Sequence, residues 1–110
     1  MNENLHSMHS LLSLLGLMRR AGKLSLGFDA VTDSAKTGES CLILITADIS
    51  PKTLKELNYK INNKVSILTI SCTQDEIGRA IGKNVRIISI NDKGFAQKAK
   101  LLTEANDGEE

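Results

Sequence analysis

The chain has 110 residues, 41% apolar but only 3% aromatic, and 14 Lys plus Arg against 13 Asp plus Glu leave a formal charge of +1. A chain of this length buries about two-thirds of its unfolded surface and holds one core without disulfides or metal. No apolar run approaches the ~18 residues of a membrane span, and residues 1–10 carry Glu3 but no Lys or Arg, unlike a secretion signal, so a cytoplasmic location is expected.

Apolar residues at Leu5, Met8, Leu12 and Leu15 recur at helical spacing, and Arg19, Arg20 and Gly22 form a helix stop. A short extended piece over 23–26 leads to Gly27, after which Phe28, Val31 and Ala35 mark a second helix that stops at Gly38. Residues 41–47 form a nearly continuous apolar run of strand length, which predicts a strand covered on both faces. Ser50-Pro51 is a helix-start pair, and Leu54, Leu57 and Ile61 continue it as one stripe that ends at Asn62-Asn63.

Residues 65–70 read as another buried strand. Thr73 to Glu76 then form a capping box, in which Thr and Glu satisfy each other's backbone amides at a helix start. That helix, with Ile77, Ala80 and Ile81 inward, stops at Gly82. Residues 85–90 form the last strong strand, and Asn91-Asp92 caps a final helix carrying Phe95, Ala99 and Leu102. The order helix, strand, helix, strand, helix, strand, helix, strand, helix predicts one α/β sandwich, with a mostly parallel sheet between two helical layers.

Residues 104–110 have too little apolar content to pack and are expected to form a flexible acidic tail. Glu104, Asp107, Glu109 and Glu110 carry four of the thirteen acids and no base, so the expected domain, 1–103, holds fourteen bases against nine acids, a balance of +5. Cys41 and Cys72 lie in or beside apolar strand-like runs and lack Cys-x-x-Cys spacing, which predicts buried reduced thiols.

Nothing in the sequence spells a catalytic constellation. His6 and His9 are three apart on the first helix, without the Cys, Asp or Glu that a metal site needs. The stretch Gly78-Arg-Ala-Ile-Gly82-Lys83-Asn84 has three residues between its glycines instead of the four of a phosphate-binding P-loop, and it follows a helix rather than a strand. What remains is a distribution of bases around turns: Arg19, Arg20 and Lys23 at the end of the first helix, and Arg79, Lys83 and Arg86 around Gly82. Gly27 exposes a helix start, whose free amides favour phosphate. Three aromatics, Phe28, Tyr59 and Phe95, are too few for a base-stacking platform, so an RNA partner would be held by shape and backbone.

The segments Leu14-Leu-Gly-Leu-Met-Arg-Arg-Ala-Gly-Lys-Leu24, Gly27 opening a helix that ends at Gly38, Leu42-Ile-Leu-Ile-Thr-Ala-Asp48, Ile77-Gly-Arg-Ala-Ile-Gly-Lys83 and Asn91-Asp-Lys-Gly-Phe-Ala96 occur in order from about Leu11 to Leu102. In them the chain resembles the ribosomal protein L-seven-Ae superfamily, and specifically its small bacterial YlxQ-like branch. The resemblance implies a three-layer α/β/α sandwich with a small four-stranded mixed sheet. It implies binding of kink-turn-like structured RNA, with ribosomal RNA among the candidates, and no catalysis, metal, cofactor or small-molecule substrate.

The family's groove-binding elements map onto Lys23 with Gly27 to Asp33, and onto the loop Gly82, Lys83, Asn84, Val85 and Arg86. Arg19, Arg20, Lys23, Lys83 and Arg86 would contact phosphates, and Phe28 or Val85 would face an extruded base. One departure stands out. Strong kink-turn binders read Gly-x-Asn-Glu-x-x-Lys at that helix start, whereas here Gly27 is followed by Asp29, Ala30 and Asp33 at the three informative positions. The alternative expectation is a protein-interaction module that keeps the fold and has lost specific kink-turn recognition.

Overall fold

Among the described residues, five helices and four strands alternate in the order that the periodicity predicts. The structure is a computed structural model that describes residues 3–107, with side chains described for 8–104. The elements are α1 (Glu3–Arg20), β1 (Leu24–Leu26), α2 (Phe28–Thr37), β2 (Leu42–Ile45), α3 (Pro51–Ile61), β3 (Ile67–Thr69), α4 (Gln74–Ile81), β4 (Ile87–Ile90) and α5 (Lys93–Asp107).

The strand order is β1-β4-β2-β3, a four-stranded mixed sheet. β4 pairs antiparallel with both β1 and β2, in the registers Leu26↔Ile88 and Leu44↔Ile88, while β2 pairs parallel with β3. Three strands therefore share one direction and β4 runs against them, so the mostly parallel sheet expected from alternation is corrected to one parallel pairing and two antiparallel ones. The cause lies in α4. It is only eight residues long, and the loop behind it doubles back, with Gln74 Nε2 at the start of α4 donating to Asn84 O at 3.4 Å. The chain thus returns to the edge of the sheet where β3 ended, and β4 has to start there.

β2 shows how one apolar run serves two cores. Successive strand residues face opposite sides, so Leu42 and Leu44 join Leu11, Leu15 and Met18 of α1, Ile77 and Ile81 of α4, and Ala96 and Ala99 of α5. Ile43 and Ile45 join Val31 and Ala35 of α2 and Leu57 and Ile61 of α3. β4 divides likewise, with Ile88 and Ile90 on the first side and Ile87 on the second. The result is a three-layer α/β/α sandwich. Each such fully buried Leu, Ile or Val contributes about 1.5–3 kcal/mol of apolar burial.

Ser89 of β4 faces the α2 layer, is fully buried, and is satisfied within a polar chain. Its single proton goes to Asn91 Oδ1 at 2.6 Å, because an amide oxygen can only accept, and its oxygen lies 2.6 Å from Ser40 Oγ, which donates in turn. Asn91 Nδ2 donates to Ser25 Oγ at 2.9 Å, and Ser25 and Ser34 share a hydroxyl–hydroxyl bond. This chain ties α2 to β1 and β4 and orients the helix whose other end opens the candidate site.

The caps agree with the sequence. Thr73 Oγ1 accepts from Glu76 N at 3.3 Å while Glu76 Oε1 accepts from Thr73 N at 2.9 Å, Ser50 Oγ accepts from Thr53 N at 3.1 Å, and Asp92 Oδ2 accepts from Phe95 N at 3.0 Å. Three details differ. The buried stripe of α1 is Leu11, Leu15 and Met18, with Met8 and Leu12 at its margin; a Leu-rich helix offers several apolar stripes, and packing chooses among them. The side chains of Leu5 and His6 lie outside the described residues. β3 is shorter than expected and only half-buried at Ile67 and Leu68, with Thr69 exposed, because it forms the edge of the sheet. Third, α5 continues through Asp107, into the segment expected as an acidic tail; Thr103, 2% exposed, anchors it by donating to Ala99 O at 2.9 Å. Residues 108–110 lie outside the described residues.

Both cysteines are free. Cys72 is buried in the larger core, and burial first and Glu76 second push its thiol up to about 11; Cys41 is only half-buried. A thiol reagent at pH 8 is therefore expected to label Cys41 in the native protein and Cys72 only after denaturation, with peptide mass mapping as the readout. Equal labelling rates at both sites would contradict this packing.

Candidate nucleic-acid interface

Because β4 runs against β1 and β2, its first residue lies beside their last ones. Gly27 N donates to Ile87 O at 2.9 Å, and Thr46 N donates to Arg86 O at 3.0 Å. Three connections consequently meet at one edge: the turn from β1 to α2, the loop from β2 to α3, and the loop from α4 to β4. They enclose an open groove of about 410 Å³ lined by Gly27, Phe28, Asp48, Ser50, Thr53, Asn84, Val85, Arg86 and Ile87. This is the carboxyl edge of β1, β2 and β3, where open α/β sheets place their ligands.

Gly27 precedes α2 with φ +91° and ψ 166°, a conformation that side chains disfavour, and no side chain caps the helix behind it. A Cβ at Gly27 would stand in open space, so the backbone requires glycine there while the space in front of the helix start stays clear. Free amides at the start of a ten-residue helix present partial positive charge. Asp29 lies in that first turn and complements it; Asp33 follows one turn later on the same face. Both are exposed and neither lines the groove.

The opposite wall is the loop after α4. Gly82 ends the helix in the left-handed conformation, with its N–H on Gly78 O at 2.8 Å. The side chain of Asn84 then lies flat over Gly78: a Cβ at Gly78 would fall 1.6 Å from Asn84 Oδ1. Lys83 is exposed at the tip, whereas Val85 is 8% exposed and belongs to the larger core. Val85 closes the groove floor and has little face to offer a base; Phe28, half-buried against the smaller core, has more.

Three expected bases stand elsewhere. Arg19 Nη1 donates to Ile81 O at 2.7 Å, capping the end of α4. Arg20 lines a separate hollow of about 560 Å³ between α1 and α4, with His9, Glu76 and Arg79. There Arg79 pairs with Asp75 at 2.7 Å, and Glu76 closes the capping box of α4. Lys23 O accepts from Asn91 N at 2.8 Å, at the far end of β1. Four residue steps, about 13 Å by strand rise, separate it from Gly27.

The groove also contains residues that spacing did not single out: Asp48, Ser50 and Thr53. Ser50 was legible only as a helix cap, and its Oγ donates to Thr53 Oγ1 at 2.9 Å. The available signal for Asp48 was its position just beyond the carboxyl end of a buried strand. Its carboxylate accepts from Gln74 N at 3.2 Å and sits 3.7 Å from Arg86 Nε. The adjacent Thr46 hydroxyl is the first influence holding this carboxyl below its ordinary value of 3.8, joined by the Gln74 and Asp48 amides and the Arg86 charge, while partial desolvation opposes them. Thr46 Oγ1 is itself buried and reaches no fully aligned hydrogen bond.

A carboxyl lowered in the folded state stabilises the protein above 3.8 and loses that contribution as pH falls through the lowered value. The difference in Tm between the protein and Asp48→Asn should therefore stay constant from pH 7 to 5 and shrink only below 3.8, as read by thermal melts. A difference that grew on acidification would contradict the assignment.

Among the described residues, no helix is long and apolar enough to cross a membrane. Residues 9–100 match the model of the ribosomal protein L7Ae/L30e/S12e/Gadd45 family. The RNA-binding protein YlxQ of Bacillus subtilis is 37% identical over 87 residues, covering 77% of this chain and 86% of that protein. A solved protein of unknown function from Bacillus halodurans is 33% identical with a TM-score of 0.77, over 86% of this chain and 96% of its own. The 15.5kD RNA binding protein of Giardia lamblia superposes with a TM-score of 0.69 at 16% identity, over 94% and 89% of the two chains, a likeness of fold.

Proposed function

The chain belongs to the ribosomal protein L7Ae/L30e/S12e/Gadd45 family, and from that premise we propose that it is a non-catalytic RNA-binding protein that takes structured, kink-turn-like RNA in the groove at the carboxyl edge of its sheet. The observation that carries this reading is the pairing of two walls: the uncapped start of α2 at Gly27, and the α4–β4 loop with Asn84 and Arg86 facing it. A helix start accepts a phosphate, and a loop across a groove of this size clasps an unpaired nucleotide. Gly27 lets the backbone approach, Arg86 and Lys83 supply charge, and Phe28 offers an apolar edge. Arg19 acts as a helix cap in this reading, and Arg20 and Lys23 lie outside the groove. The natural setting would be the cytoplasm, where ribosomal RNA is the abundant structured RNA.

The departures at Asp29, Ala30 and Asp33 set the strength. Asp29 lacks an amide donor, Ala30 lacks an acceptor for guanine, and Asp33 brings a negative charge toward RNA. A like charge at ~4 Å costs about 1–4 kcal/mol depending on exposure, a roughly fivefold to several-hundredfold loss of affinity. These same three residues favour the second reading, a protein-interaction module that has given up specific recognition. A pull-down followed by nuclease treatment separates the readings, because an RNA-bridged complex falls apart and a direct protein complex survives.

Gel shifts against a kink-turn RNA and a plain RNA duplex at two salt concentrations test the proposal. The expected result is a preference for the kink-turn that rises at least tenfold in Asp29→Asn/Ala30→Glu/Asp33→Lys. Binding to neither RNA at low salt would overturn the proposal, and equal binding with a steep salt slope would reduce it to backbone affinity.

A further inference from the structure

Among the described residues that line the groove, Arg86 is the one base, and it does not stand free. Its Nε faces Asp48 Oδ2 at 3.7 Å, and the same carboxylate accepts from Gln74 N at the start of α4, at 3.2 and 3.3 Å from its two oxygens. Asp48 thus joins the β2–α3 loop, the first amide of α4 and the strand end that carries Arg86. Both partners are about half exposed, with side-chain exposures of 46% and 39%, so water competes for the pair and a well-placed phosphate can exchange for the carboxylate. Lys83, three residues earlier in the same loop, is exposed at the rim.

We propose that Asp48 is a positioning residue that sets specificity, holding Arg86 in place across the groove and withholding its charge from phosphates that are not seated there. The inference rests on the RNA-binding reading above and deepens it. A duplex passing over the rim meets an Arg86 whose charge is already answered by Asp48, and gains little from it. An RNA that fills the groove brings a phosphate to Arg86 at close range and displaces the carboxylate. Asp48 therefore costs the seated RNA only the weak, half-exposed pair that its phosphate replaces, and costs other RNAs the whole Arg86 contact. Its carboxyl, held below the ordinary range, keeps this restraint charged at neutral pH.

The pair can be tested by a double-mutant cycle on duplex and kink-turn RNA, with affinities measured across a salt series. Asp48→Asn is expected to bind plain duplex about threefold to tenfold more tightly, to steepen log K against log salt by up to about 0.9, the value of one added phosphate contact, and to lower the kink-turn preference. The gain should vanish in Asp48→Asn/Arg86→Gln. Asp48→Glu, which keeps the charge, should stay close to the parent protein. A comparison that leaves Asp48 intact gives the same answer independently: Lys83→Gln should cost more duplex affinity than Arg86→Gln. Three results would overturn the inference: unchanged duplex affinity and slope in Asp48→Asn, a gain that persists without Arg86, or a greater loss from Arg86→Gln than from Lys83→Gln. Failure of the parent protein to bind either RNA would overturn the RNA-binding reading as well.

Discussion

The geometry of the protein depends on β4 lying antiparallel between β1 and β2. Had β4 continued the parallel order, its entry loop would sit at the opposite edge of the sheet from Gly27 and Asp48. Running the other way, it brings Arg86 opposite Thr46 and Ile87 opposite Gly27 through backbone hydrogen bonds of 3.0 and 2.9 Å. Two walls of a groove are thereby fixed by main chain, without relying on flexible side chains. The strand can occupy this central place because Ile87, Ile88 and Ile90 fill both cores, and because Ser89, the one polar residue among them, is satisfied through Ser40 and Asn91.

Short helices and small residues complete the arrangement. α4 is capped at both ends from outside itself, by the Asp48 carboxylate on Gln74 N and by the Arg19 guanidinium on Ile81 O. Gly78 leaves room for Asn84 to fold onto the helix, which turns the loop back toward the groove. Two groups that composition alone would count as free charge, Arg19 and Asp48, thus hold α4 and its loop in place. The surface charge offered to a partner is smaller and more local than the +5 balance of residues 1–103 suggests.

The order and type of all nine elements was legible because each carries its own signal: a stripe, a cap such as Thr73 with Glu76, or a breaker such as Gly38. Strand direction was not legible in the periodicity, although the resemblance implied a mixed sheet: the loop behind the eight-residue α4 folds back through Asn84 and so fixes where β4 starts. In the candidate site, Gly27 and the loop from Gly82 to Arg86 were legible as a free helix start and a basic turn, the two walls of the groove. Arg19, Arg20 and Lys23 were grouped with them through proximity in sequence, although Lys23 stands at the other end of β1. Asp48 and Thr53 escaped notice because a single carboxylate after a strand and a threonine inside a helix carry no pattern of their own. Their meaning comes from the neighbours that the sheet supplies.

The proposed meeting point of RNA and protein is the carboxyl edge of the sheet, between the start of α2 and the α4–β4 loop. Ultraviolet cross-linking in living cells, followed by mass-spectrometric mapping of the RNA-adducted peptides, tests it directly and requires no prior choice of RNA. Adducts are expected at Gly27 or Phe28 and within Lys83 to Arg86. Adducts confined to the outer faces of α1 and α5, or none above the level of an unrelated protein, would contradict it.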